Sequence, residues 1–271
     1  MTNPVTKVSE ETTRTYLNPP AHEVILDLQF HQELDDEPVQ ELRSQLAGQF
    51  GFDEVMEVTG SEIMMAVGAS EQSHRVRKRF EGWSFRTAPR AWMLNARKKQ
   101  LTLHVVRAGK WPRGRYVGWQ QIRNRYAALY EALENTYSKL DIRRAGLRYL
   151  NRIAVPHGDD LDDWFTLRFT QPSCLDGLYS FDHKQTWASA GADDGIGVTL
   201  RLAMIQIEDA ELAREHVGVL LDIDVFNLFI KDAPAHEEVL GWYERAHAAE
   251  NAIFEASVTD LARKSFDNAL D

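Results

Sequence analysis

Asp222 and Asp224 stand two apart in the segment LLDIDVF, residues 220–226. On a β-strand that spacing places both carboxylates on one face, with Leu221, Ile223 and Val225 on the other. Two carboxylates on one face can hold a divalent cation or share a proton, the basis of a metal-dependent enzyme. The same spacing also describes the acidic outer side of a half-buried strand. Arg148 and Arg152 stand four apart in GLRYLNRI, residues 146–153, and share a strand face. Tyr149 and Asn151 take the opposite one. A guanidinium is a planar fork that suits a carboxylate or a phosphate. Two readings follow: the favoured one pairs Arg148 and Arg152 with Asp222 and Asp224 across a sheet, and the other makes the arginines an anion site.

A second set of candidates is basic. Residues 73–152 hold 20 Lys and Arg against four acids, whereas the whole chain carries a net charge of −10. Such asymmetry points to an acidic partner or to internal docking. Arg97, Lys98 and Lys99 form a basic turn, and Lys110, Trp111, Arg113 and Arg115 form a basic loop that precedes Arg123. Interleaved aromatics (Trp83, Phe85, Trp92, Trp111, Tyr116, Trp119) fit the pattern of a single-strand nucleic-acid surface. They fit equally well a core beneath a basic rim. The sequence pI of about 5.4 disfavours a dedicated nucleic-acid binder.

Other chemistries lack their residues. There is one cysteine, Cys174, so no internal disulfide and no cysteine-based zinc site is expected. No G-x-x-x-x-G-K-[ST], G-x-S-x-G or H-E-x-x-H pattern occurs. The histidines do not cluster in sequence; His236 and His247 are eleven apart on one expected helix. No cofactor and no metal are expected.

The elements that position these residues can be read from periodicity. Residues 1–20 are polar, end in Asn-Pro-Pro, and read as a flexible N-terminal arm or one ordered by a partner. Strands are expected at 24–30, 83–95, 100–107, 145–155, 180–188, 197–207 and 217–229. Residues 54–67 read as strand or loop. Helices are expected at 40–50, 122–140 and from about 233, capped by Asp232, with a last one ending at Phe266. Residues 96–99 and 191–195 (GADDG) read as hairpin turns. The order strand, helix, strand, strand, helix, strand in the first part is that of a ferredoxin-like half.

The segments PAHEVILDLQF, GLRYLNRIAVP, LLDIDVF and FEASVTDLARKSF together resemble a sporadically distributed, uncharacterised prokaryotic protein family of about this length. The resemblance covers roughly residues 20–267. GLRYxNRI and F-E-x-S-x-T-D-x-x-R-x-x-F are its specific parts. No activity is established for that family; its patchy distribution implies an accessory system such as phage defence or a toxin–antitoxin pair.

The expectation is therefore an α+β protein of two lobes, 21–156 and 157–271, each of mainly antiparallel sheet with a long amphipathic helix. No window approaches the roughly 20 apolar residues of a membrane span, and the first residues carry no signal-peptide core, so a cytoplasmic protein is expected. The first functional reading is a non-catalytic binding protein that meets an acidic protein partner through its basic middle. Nucleic-acid binding or processing by the same surface and a metal-dependent enzyme on Asp222 and Asp224 are the alternatives. Homo-oligomerisation stays open.

Overall fold

The structure, a computed structural model, describes residues 14–67, 72–88, 91–109, 111, 114–137, 140–168, 181–188, 196–227 and 236–267. The strands are β1 (Ala21–Phe30), β2 (Glu54–Val67), β3 (Gln72–Arg86), β4 (Trp92–Arg97), β5 (Gln100–Val106), β6 (Ile142–Pro156), β7 (Asp182–Ala188), β8 (Ile196–Ile205) and β9 (His216–Asn227). The helices are α1 (Asp36–Gln49), α2 (Trp119–Thr136), α3 (Leu161–Trp164), α4 (Leu212–Glu215), α5 (His236–Ser257) and α6 (Asp260–Asp267). Among the described residues the strands make one nine-stranded antiparallel sheet, in the order β2-β3-β4-β5-β1-β6-β9-β8-β7.

Alternation along each strand sorts the side chains by face. Val24, Leu26, Leu28 and Phe30 of β1 are buried in one hydrophobic core with Leu101, Leu103 and Val105 of β5. Leu147, Tyr149 and Ile153 of β6 and Leu221, Ile223 and Val225 of β9 continue it. Helices cover this face. Val39, Leu42 and Leu46 of α1, the stripe Ile122, Tyr126, Leu129 and Leu133 of α2, and Val239, Tyr243, Ala246 and Phe254 of α5 all enter the same core. The helical period of 3.6 brings each stripe to one side of its helix, and a sheet buries one face by packing helices on it.

The sheet does not divide where two lobes were expected. β1 pairs with β6, and β6 pairs with β9 without interruption up to Pro156 opposite His216. The strand of GLRYLNRI therefore lies inside the sheet, beside the central β1, and two separate sheets give way to one. The strands read from sequence in the first part lie in the order β6-β1-β5-β4. The ambiguous stretch from 51 to 82 holds β2 and most of β3. Among the described residues only Gly82–Arg86 of β3 pairs with β4, and from Val67 and Gln72 back to Phe80 the two strands pair only with each other, as a ribbon. Gly82 sits where the ribbon meets the sheet. Its φ is +144°, and a Cβ there would overlap the Ala96 carbonyl. A side chain is excluded there on both counts.

The single strand expected over 83–95 is two, ending at Arg86 and resuming at Trp92. Pro89 lies between them and has no N–H to give a ladder. Within the expected flexible arm, residues 14–20 are tied down. Tyr16 packs edge-on against Phe266 at 5.4 Å and hydrogen-bonds Glu255 at 2.5 Å, and Arg14 pairs with Asp267 at 2.6 Å. The GADDG turn, the Asp232 cap, Cys174, Lys110 and Arg113 lie outside the described residues.

Candidate functional site

On the face away from the helices the central strands carry a groove of about 410 Å³. Residues of β1, β4, β5, β6 and β9 line it, among them Asp27, Asn95, Arg97, Gln100, Arg144, Arg148 and Asp224. Register places them in rows. Arg97, Gln100, Gln29 and Arg144 are cross-strand neighbours, and so are His104, Ile25, Arg148 and Asp224.

The centre of this face is an ion-pair cluster. Arg148 holds Asp222 through a two-point fork, Nε to Oδ1 at 2.7 Å and Nη2 to Oδ2 at 2.6 Å. Arg144 bridges two acids: Nη2 donates to both oxygens of Asp224, at 2.9 and 2.8 Å, and Nη1 donates to Asp27. Forked charged pairs of this kind are among the stronger side-chain hydrogen bonds. Burial works against the Arg144 charge, yet Asp27 and Asp224 hold its pKa above the ordinary value. Burial, with Asp27 nearby, pushes the Asp224 carboxyl up against the pull of Arg144.

Glycines make this geometry possible. A Cβ at Gly146 would overlap both the Arg144 guanidinium and the Asp27 carboxylate, so Arg144 crosses the sheet through the space a side chain would fill. A Cβ at Gly197 would overlap the Phe226 ring. Phe226 lies flat there, with the Arg144 guanidinium 5.1 Å from its ring centre, in cation–π contact.

The favoured cross-sheet pairing holds in type and changes in partners. Arg148 takes Asp222. Asp224 goes to Arg144, and Arg152 lies 3.8 Å from the exposed Glu208. Both carboxylates are thus occupied by guanidinium groups, which stand where a cation would have to sit. No group of three or more metal-binding side chains occurs among the described residues.

The described basic candidates scatter. Lys99 pairs with Glu33 at 3.3 Å, and Arg123 pairs with Glu244. Lys98 is 8% exposed, so it is not a surface cation. Trp111 donates its ring N–H to the Arg152 carbonyl at 3.1 Å. Arg115 bridges backbone to backbone with Ala108 and is exposed. Trp83 and Trp92 are core residues, and Trp119 stacks on His247 at 4.3 Å. Of the named cations only Arg97 joins the groove, where it is exposed and makes no ion pair among the described residues.

Asp27 and Arg144 were not singled out by sequence. Their signals were present: Asp27 is the one acid inside the apolar run VILDLQF, and Arg144 precedes Arg148 by four, on the same strand face. Beneath the helices lies a second polar group that spacing did not reveal. The Tyr149 hydroxyl hydrogen-bonds His247 Nδ1 at 3.1 Å, and His247 Nε2 meets Asn251 at 3.1 Å. Burial lowers His247 to about 4, and burial pushes the neighbouring Glu250 up to about 8. His236 is remote from this group and pairs with Glu134 at 2.9 Å.

No helix among the described residues is long and apolar enough to cross a membrane. Comparison with models of known protein families finds none that matches the chain, and comparison with curated proteins finds no match.

Proposed function

We propose that this chain is a non-catalytic binding protein that engages an acidic protein partner through the face of its sheet that carries the groove. One observation carries the reading. Of the charged side chains that line the groove, Arg97 and Arg148 are the most exposed, so the charge presented to a partner is cationic. Arg97 is exposed and the Arg148 side chain is 40% exposed, against 5% for Asp222, 11% for Asp27 and 22% for Asp224; Arg144, between the acids, is 15% exposed. A surface of this kind recognises anionic groups by complementarity rather than by chemistry on them. Membership of the patchily distributed prokaryotic family, a role in a cytoplasmic defence or toxin–antitoxin system, and a ferredoxin-like first part belong to the same proposal. The strand order β6-β1-β5-β4 with α1 and α2 on one face supports the last.

The test is a titration of the purified chain with fluorescent oligo-glutamate and with oligo-thymidylate of matched length, at low and at physiological salt. Saturable binding of oligo-glutamate, stronger than that of the nucleic acid, is expected. Tighter binding of oligo-thymidylate with a steep salt dependence would replace the reading by nucleic-acid recognition, and binding of neither at low salt would remove it.

A further inference from the structure

We propose, resting on that reading, that the groove takes a short extended peptide segment of the partner, whose Asp or Glu side chain pairs with Arg97. Asn95, Gln100 and Gln29 would then hydrogen-bond the peptide's backbone. The groove runs across five adjacent strands, from Arg97 on β4 to Asp224 on β9. At about 4.8 Å between strands this is about 19 Å, the length of about six extended residues.

The groups available along it suit a peptide. Side-chain amides both donate and accept, as a peptide backbone requires. Asn95 and Gln100 make no side-chain hydrogen bond among the described residues, and Gln29 makes one, to Asp27 at 3.3 Å. Arg144 and Arg148 already hold Asp27, Asp222 and Asp224, so their forks are committed. Arg97 is the groove's uncommitted fork, and it selects one carboxylate per segment. A nucleobase fits less well. Base stacking on a sheet needs exposed aromatic faces. Among the described residues no Trp, Tyr or Phe lines the groove, and Phe226 is 8% exposed beneath Arg144.

The experiment measures anisotropy of a labelled, end-blocked hexapeptide of alternating Glu and Gly, its Gln counterpart, and oligo-thymidylate. Each is titrated with wild type, Arg97→Ala, Arg97→Lys and Gln100→Ala. Arg97 is exposed at a strand end, so melting of its variants is expected to match wild type. The acidic hexapeptide should bind wild type and lose about tenfold with Arg97→Ala, the loss typical of a removed charged hydrogen bond. Arg97→Lys should restore part of it, Gln100→Ala should weaken it less, and the Gln peptide should bind at least about tenfold more weakly. Equal binding of the two peptides, or equal binding by Arg97→Ala, would overturn the proposal, as would loss of oligo-thymidylate rather than peptide in that variant. If longer oligo-glutamate binds while the hexapeptide does not, the groove assignment falls and the broader reading stands; if neither binds, both fall.

Discussion

The hydroxyls of Tyr126 and Tyr243 lie 2.9 Å apart in the buried seam between α2 and α5. The Tyr243 hydroxyl also donates to the Asp27 carbonyl at 2.8 Å. A hydroxyl has one proton, so Tyr126 is the donor within the pair. The chain Tyr126, Tyr243, Asp27 therefore ties both long helices to the central strand whose Asp27 side chain emerges on the groove face.

That assignment makes the two tyrosines unequal. Tyr243→Phe removes the acceptor of Tyr126, leaving a buried hydroxyl unpaired, and also removes a second hydrogen bond to the Asp27 carbonyl, and should cost about 2–3 kcal/mol. Tyr126→Phe leaves the Asp27 bond intact and should cost about 1 kcal/mol. Urea unfolding of the two variants decides between this order and its reverse, which would show the donor assignment to be wrong.

Gly146→Ala should destabilise by about 1–3 kcal/mol, because its methyl would displace the Arg144 guanidinium from Asp27. The sign is informative. Gly→Ala within a strand otherwise gains stability through lower unfolded-state entropy. A neutral or stabilising result would mean that Arg144 does not lie across Gly146.

Arg144→Met should destabilise by about 3–5 kcal/mol, since it leaves Asp27 and Asp224 facing each other without their common partner. The loss should shrink in acid. Asp224 is already raised by burial, and without Arg144 it rises further. The folded protein then holds a proton that the unfolded chain has released, so the variant gains stability as pH falls through that raised pKa. Melting of variant and wild type at neutral and mildly acidic pH checks this; a gap independent of pH would exclude repulsion as the cause.

Glu250 and His247 set opposite slopes. Glu250 titrates at about 8 in the folded chain against 4.5 unfolded, so stability falls as pH rises from about 4.5 to about 8. His247 titrates at about 4 against 6.5, so stability falls as pH drops from about 6.5 to about 4. They oppose each other below about pH 6.5, and above it Glu250 acts alone, at up to about 1.4 kcal/mol per pH unit. Glu250→Gln should therefore be more stable than wild type by an amount that grows between about pH 6.5 and about pH 8. A constant difference over that range would show that Glu250 is not held protonated.

Much of the local structure was legible in the sequence. The apolar run VILDLQF announced a strand inside a sheet, the alternation of Leu101, Leu103 and Val105 announced β5, and the stripe from Ile122 to Leu133 announced α2, because burying a strand or one side of a helix forces those patterns. The Arg148 and Asp222 residue types even announced a cross-sheet ion pair. Periodicity says which residues of one strand share a face and nothing about which strands are neighbours, since ladder hydrogen bonds join any two backbones. Only the tertiary structure placed β1 beside β6, which brought Arg144 to Asp27 across 117 positions, left Asp224 to Arg144 rather than Arg152, and joined two expected sheets into one. It also sorted the described residues of the basic middle. Arg123 and Lys99 met acids from distant segments and Trp83 and Trp92 entered the core, while Arg97 was left facing outward. Charge counted along a chain does not say which charges meet, because pairing depends on distances that only the fold creates.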